Sequence, residues 1–141
     1  MTTIDGTGGR RTIPIADFHR LWGDRPEQDT VLRPGELITA VTLPKPIGGT
    51  HIYQKVRDRA SYAFALISVA AVIQPGNRGR LAFGGLAHKP WRVEAAEAQL
   101  PAGAKATAAA VLAGARTTSQ NAFKLPLVER TIGAVLEEAK A

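Results

Sequence analysis

Lys55, Arg57, Asp58 and Arg59, followed after Ala60 and Ser61 by Tyr62, are the densest set of chemistry-bearing side chains in the sequence. A phenol beside several cations suits a flat, electron-rich, anionic ligand. The ring stacks on Tyr62, and the cations offset phosphate charge or the charge of a reduced ring. The same residues also fit a solvated basic loop leading into a core strand, and by themselves they leave both readings open. His19, His51 and His88 are far apart and lack carboxylate or histidine neighbours at ligand spacing, so no metal site is predicted. Asp17 and His19, two residues apart, would point to different sides of a helix. No Gly-x-Ser-x-Gly elbow surrounds Ser61 or Ser68, so no hydrolytic triad is predicted and Ser68 reads as a core hydroxyl. No residue is assigned a catalytic role. Gly84-Gly85 permits either close backbone packing or a phosphate cradle, and the lack of any Gly-x-Gly-x-x-Gly or Walker pattern favours packing. Trp91 reads as a core anchor or an interface residue.

The elements that must hold these groups are legible from periodicity. Ala63 to Ile73 is an apolar run broken only by Ser68 and closed by Gln74-Pro75-Gly76-Asn77, which predicts a buried strand entering a turn. Arg11 to Ile15, Glu36 to Leu43, His51 to Arg57 and Arg80 to Leu86 also read as strands. Short links between neighbours predict an antiparallel meander, its sheet running from Glu36 to Leu86. Asp17 is a candidate cap for a short helix through Trp22, and Asp24 to Gly35 reads as a loop. Beyond Trp91 the period becomes helical. Helices are predicted for Val93 to Leu100, for the Ala-rich Ala104 to Arg116, and for a last segment whose Leu125, Val128, Ile132, Val135, Leu136 and Ala139 share one face. Pro126 fits the first turn of that helix. Strands first and helices after give an α+β fold: a three- to four-stranded antiparallel sheet with a C-terminal helical bundle on one face.

With 141 residues the chain can bury a core of its own, and without cysteine it has neither disulfides nor thiolate chemistry. No segment approaches the roughly 20 apolar residues of a membrane span, and the N-terminus has no apolar targeting core. The net charge of +6 is unevenly placed. From Lys45 to Arg92 eight Lys/Arg face a single acid, Asp58, whereas from Val93 onward five basic and five acidic residues cancel. A basic sheet face of this kind attracts acidic partners. Nucleic acid is not the expected partner, because the cations are not interleaved with exposed aromatics and no nucleic-acid module is present.

Five stretches carry a family resemblance: RRTIPIADFHRL, TVLRPGELITAVTLP, YQKVRDRASYAFALISVAAVI, LAFGGLAHKPWR followed by AEAQL, and NAFKLPLVER. In order and spacing, from about Arg10 to Arg130, the sequence resembles the C-terminal part of the FAD-binding (medium) subunit of molybdenum hydroxylases. This is the xanthine dehydrogenase and carbon monoxide dehydrogenase flavoprotein family, and the likeness is greatest to bacterial aldehyde oxidoreductases. The resemblance implies that residues 1–30 are the tail of the FAD-binding domain plus a linker and that 31–141 form the flavoprotein C-terminal domain. It implies a share in an FAD cleft, with Ile38 contacting the flavin largely through its backbone, Lys55 as the cation near the cofactor, and Arg59 to Tyr62 lying over the ring. Many members carry Gly-Asp before that tyrosine, where this chain has Ala60-Ser61.

The family's glycine-rich pyrophosphate-binding loops lie outside this chain. The resemblance therefore implies a fragment of an electron-transfer subunit, inactive when isolated. Molybdenum cofactor and [2Fe-2S] clusters are expected on partner iron–sulfur and molybdenum-binding subunits. The expected compartment is the cytoplasm, or the periplasm by co-export with a partner. The alternative from a different class is a non-catalytic domain that binds an acidic protein through the basic sheet face.

Overall fold

A computed structural model describes residues 1–141. The chain divides into two compact units, Met1–Ile47 and Gly48–Ala141. Residues 30 and 31, where the functional domains were expected to join, lie inside the first unit.

In the N-terminal unit, β1 (Thr2–Asp5) lies between β2 (Arg11–Ile13) and β3 (Leu37–Val41), and both pairings are antiparallel. Thr2 and Ile4 alternate inward on the central strand and are almost wholly buried. The strand expected from Glu36 onward therefore exists, but it pairs with β1 and does not extend the sheet of the second unit. Glu36 helps to fix this outcome. Arg11 Nε and Nη2 donate to its two carboxylate oxygens at 2.8 and 2.6 Å, and the Arg33 amide donates at 2.8 Å. Arg11 Nη2 also donates to the Val31 carbonyl at 2.7 Å, tying the polar loop to β2. A β-carbon at Gly6 would come within 2.8 Å of Glu36 Cγ, so this turn needs glycine.

No helix follows Asp17. A 3-10 turn, Ile15–Asp17, gives way to a ladder in which Arg20 N–H donates to Asp29 O at 2.9 Å and Val31 N–H to Phe18 O at 3.0 Å. Asp17 caps nothing, and the backbone groups that a helix would have paired internally find partners across the ladder instead.

In the second unit, β4 (Thr50–Val56), β5 (Ile67–Gln74) and β6 (Arg78–Gly84) form an antiparallel meander in the order β4-β5-β6. Gly76 and Asn77 both have positive φ, 74° and 54°, as tight hairpin turns matching strand twist require. Ile52, Val69, Ala71, Leu81 and Phe83 point to the covered face, against α1 (Glu94–Glu97), α2 (Ala104–Val111) and α3 (Lys124–Glu138). Val128, Ile132 and Val135 of α3 are fully buried there, as the 3.6-residue period predicts. This is the expected α+β arrangement.

Three boundaries differ from expectation. The apolar run becomes strand only at Ile67; Ala63 to Leu66 belong to the preceding connection, where Phe64 is 98% exposed. The Ala-rich helix stops at Val111, because Gly114 adopts a φ of 76° and turns the chain away. The helix expected from Val93 to Leu100 is a single turn followed by a 3-10 segment, Leu100–Ala102, with Pro101 in it. No helix is long and apolar enough to cross a membrane.

The free edge of β6 is covered from within. Trp91 and Phe83 exchange backbone hydrogen bonds of 2.8 Å in both directions, and the Leu81 N–H donates to Glu97 Oε1 at 3.1 Å. Glu97 is itself gripped by Arg92 at 2.7 and 3.0 Å.

Ile132→Ala is expected to destabilise the second unit by roughly 2–5 kcal/mol, the usual cost of emptying a buried aliphatic site. Urea unfolding followed through Trp91 measures it. In the N-terminal unit, the Arg11 side chain and the Arg33 amide hold the Glu36 carboxyl below its ordinary range. A lowered carboxylate pKa stabilises the fold above the unfolded value near 4.3, and that contribution is lost as pH falls through the folded value. Glu36→Gln should therefore be less stable at neutral pH and show a flatter stability profile in acid, read from Trp22 fluorescence.

Candidate functional site

The β4–β5 connection is built from the basic residues singled out by the sequence. Lys55 lies near the end of β4, in one cross-strand row with Ser68 and Gly84. The next row along the same face is Tyr53, Ala70 and Ala82, and then His51, Val72 and Arg80. Gly84 packs closely on its neighbour: a β-carbon there would come within 2.5 Å of Ser68 Oγ and would make that hydroxyl rotate away. Gly85, at a φ of 79°, passes so close to the loop that a β-carbon would lie 2.9 Å from the Leu66 carbonyl. The paired glycines thus serve close packing, Gly84 against Ser68 of β5 and Gly85 against the loop at Leu66, as the residues favoured.

Between these supports the loop projects its aromatics outward. Tyr62 is 96% exposed and holds a φ of 55°, a left-handed conformation uncommon for a bulky residue. Arg59 donates from its guanidinium to the Tyr62 carbonyl, which fastens the loop across its tip. Lys55, Tyr62, Ala63 and Phe64 line one open hollow of about 410 Å³, and Lys55 to Ala60 line a second of about 530 Å³. Two exposed rings and a lysine around a shallow hollow can take a planar ligand: an aromatic face offers stacking, and the ammonium offers charge compensation.

The structure therefore brings Lys55, Arg59 and Tyr62 together, while Ile38 stands in the other unit, on β3, paired with Ile4 and 41% exposed. Phe64 belongs with the first three and was missed. Its signal was its two-residue spacing from Tyr62, hidden inside an apolar run that reads as strand. Tyr53, 65% exposed on β4, was also passed over. Nowhere do three or more His, Asp or Glu side chains gather as a metal would need.

The fold and the exposed ring-and-cation loop can be set beside known proteins. No family model matches the chain. The crystal structure of quinoline 2-oxidoreductase from Pseudomonas putida 86 has the same fold, with a TM-score of 0.75 at 21% identity over 98% of this chain and 51% of that one. The likeness in sequence is stronger. The chain is 59% identical over 139 residues, 99% of its length, to the aldehyde oxidoreductase FAD-binding subunit PaoB of Escherichia coli (strain K12), and spans 44% of that relative. It is homologous to part of that subunit, as the family resemblance in its sequence implied.

Gly85→Ala should destabilise the second unit by more than about 1 kcal/mol, because the substitution meets both an unfavourable φ and the Leu66 carbonyl. Thermal unfolding measures the loss, and hydrogen exchange at the Leu66 amide, bonded to Val56 O at 2.9 Å, should rise with it.

Proposed function

We propose that this chain forms one wall of the FAD cleft in the electron-transfer subunit of a molybdenum-dependent oxidoreductase of the aldehyde or xanthine dehydrogenase type. The observation that carries the reading is Tyr62, almost fully exposed in a left-handed conformation beside Lys55 and Phe64. Such strain on an exposed aromatic, supported by a rigid hairpin, is characteristic of ligand-contacting positions. The likeness to a relative named as a FAD-binding subunit supports the same reading.

The residues present fit one half of the cofactor. An isoalloxazine needs a flat apolar face and positive charge nearby; Tyr62 and Phe64 supply the first and Lys55 the second. Arg59 is a positioning residue, holding the loop through the Tyr62 carbonyl. Ile38 is a further contact on this reading, through its backbone. The pyrophosphate needs a cluster of N–H donors, and this chain carries no glycine-rich phosphate motif, so that half falls to residues outside it. When bound, FAD supplies both one- and two-electron transfer. The chain's own residues would orient the ring, shield one face from water, and favour negative charge on it.

On this reading residues 1–30 are the tail of the FAD-binding domain plus a linker and 31–141 form the flavoprotein C-terminal domain, whose larger part is the second compact unit, Gly48–Ala141. Molybdenum cofactor and [2Fe-2S] clusters belong to the molybdenum-binding and iron–sulfur partner subunits. A second reading, a non-catalytic domain docking an acidic protein, is favoured by one observation: β4, β5 and β6 carry Lys55, Arg78 and Arg80 and not one Asp or Glu. It predicts a native assembly that holds no flavin and dissociates as salt rises.

Purified by itself the chain should be colourless, whereas the assembly isolated from its native host should carry FAD. In that assembly Tyr62→Ala should lower FAD retention severalfold, in line with a ring contact worth roughly 0.5–1.5 kcal/mol, and Tyr62→Phe should be much milder. Unchanged flavin content and reduction rate in Tyr62→Ala, with only thermal stability reduced, would overturn the stacking role.

A further inference from the structure

A separate cavity of about 240 Å³ opens where three segments of the second unit converge: the chain after β6, the end of α2 with the turn that follows, and the start of α3. Its apolar wall includes Leu86, Trp91, Leu112 and Leu125, and its two charged lining residues are Arg116 and Lys124. No Asp or Glu lines it. The polar edge of Trp91 is already satisfied, since its indole N–H donates to the Val111 carbonyl at 3.2 Å, so the ring offers the cavity an apolar surface. Lys124 is anchored by donating to the Gly85 carbonyl at 2.6 Å, which leaves it further N–H donors. Arg116 is exposed and has neither an ion pair nor a hydrogen bond within the chain.

We infer that this cavity binds a small monocarboxylate with an apolar, single-ring-sized body, its carboxylate held by Arg116 and Lys124. Size and charge decide the class. The volume lies below the roughly 300–1,000 Å³ of sites for drug-sized ligands, which excludes a nucleotide or flavin and leaves room for about one ring. Phosphate or sulfate would leave the leucines and Trp91 uncovered, whereas a neutral apolar molecule would leave two cations without a counter-charge in a partly desolvated hollow. An aliphatic or aromatic acid satisfies both requirements, and the planar guanidinium of Arg116 matches a carboxylate in two-point geometry. This site is independent of the loop around Tyr62, sharing none of its residues, so it stands or falls separately from the proposed FAD contact.

Each unit holds one tryptophan, so Trp22→Phe leaves Trp91 as the only indole reporter. Titrating this variant of the 141-residue chain with cyclohexanecarboxylate should give a saturable change in Trp91 emission. In the unaltered chain, NMR should show methyl shifts confined to Leu86, Leu112, Leu125 and their neighbours. Cyclohexanecarboxamide, the same shape without the charge, should bind about tenfold or more weakly, as the loss of a charge-assisted pair requires. Arg116→Gln should weaken the acid to a similar degree while leaving the circular dichroism and melting temperature unchanged. Lys124→Gln should weaken it as well. The inference is overturned by equal affinity for acid and amide, by an Arg116→Gln variant that binds the acid as the parent does, or by methyl shifts that do not saturate below about 10 mM acid.

Discussion

Everything in the second unit hangs on covering one face of a three-stranded sheet. Three strands with one apolar face are near the lower limit for independent stability, and the covering helix is what carries them over it. Val128, Ile132 and Val135 of α3 share one core with Val69, Leu81 and Phe83; α3 packs on β4 and β5, α1 and the 3-10 segment after it cover β6, and all six side chains are nearly inaccessible to water. With that face sealed, the hairpins are stiff enough to hold the β4–β5 connection in a shape it would not keep alone. The left-handed backbone at Tyr62 is an energetic cost borne by the packing below it.

Gly84, the last residue of β6, and Gly85 after it belong to the same logic. A rigid loop tip needs backbone within touching distance, and Gly85 lets the chain leaving β6 approach the Leu66 carbonyl more closely than any residue with a side chain would, while Gly84 leaves room for the Ser68 hydroxyl. Arg59 completes the closure from the other side, spending its guanidinium on the Tyr62 carbonyl. The aromatic surface that results is formed mainly by backbone fixation, with side chains left free to meet a ligand. That division of labour explains why two large rings can stand in solvent without collapsing onto the sheet.

Periodicity exposed α3 and the strands β4 to β6 because each buries one face, and burial writes a regular pattern into sequence. The N-terminal unit was less legible. The pairing of β3 with β1 depends on Arg11 finding Glu36 across 25 positions, and no local pattern encodes a contact of that range. The helix expected after Asp17 failed because its backbone groups had a better partner in the Asp29 to Val31 segment. Gly114 was a readable stop signal inside an Ala-rich run whose propensity argued for continuing. Of the loop residues, Lys55, Arg59 and Tyr62 were visible by type, whereas Phe64 was masked by apolar neighbours that the chain uses as connection and strand in turn. The cavity at Trp91 could not have been read at all, because its walls come from three segments that only the folded sheet and helices bring together.

The backbone bridge between Phe83 and Trp91 also sets how the second unit can associate. With β6 occupied by its own chain, this sheet has a single open edge, along β4. If two copies ever joined by strand addition, the union would consume the open edge of each and leave nothing for a third. Growth through this sheet is therefore self-terminating: it can produce a closed pair of copies, and it cannot seed an extended cross-β filament.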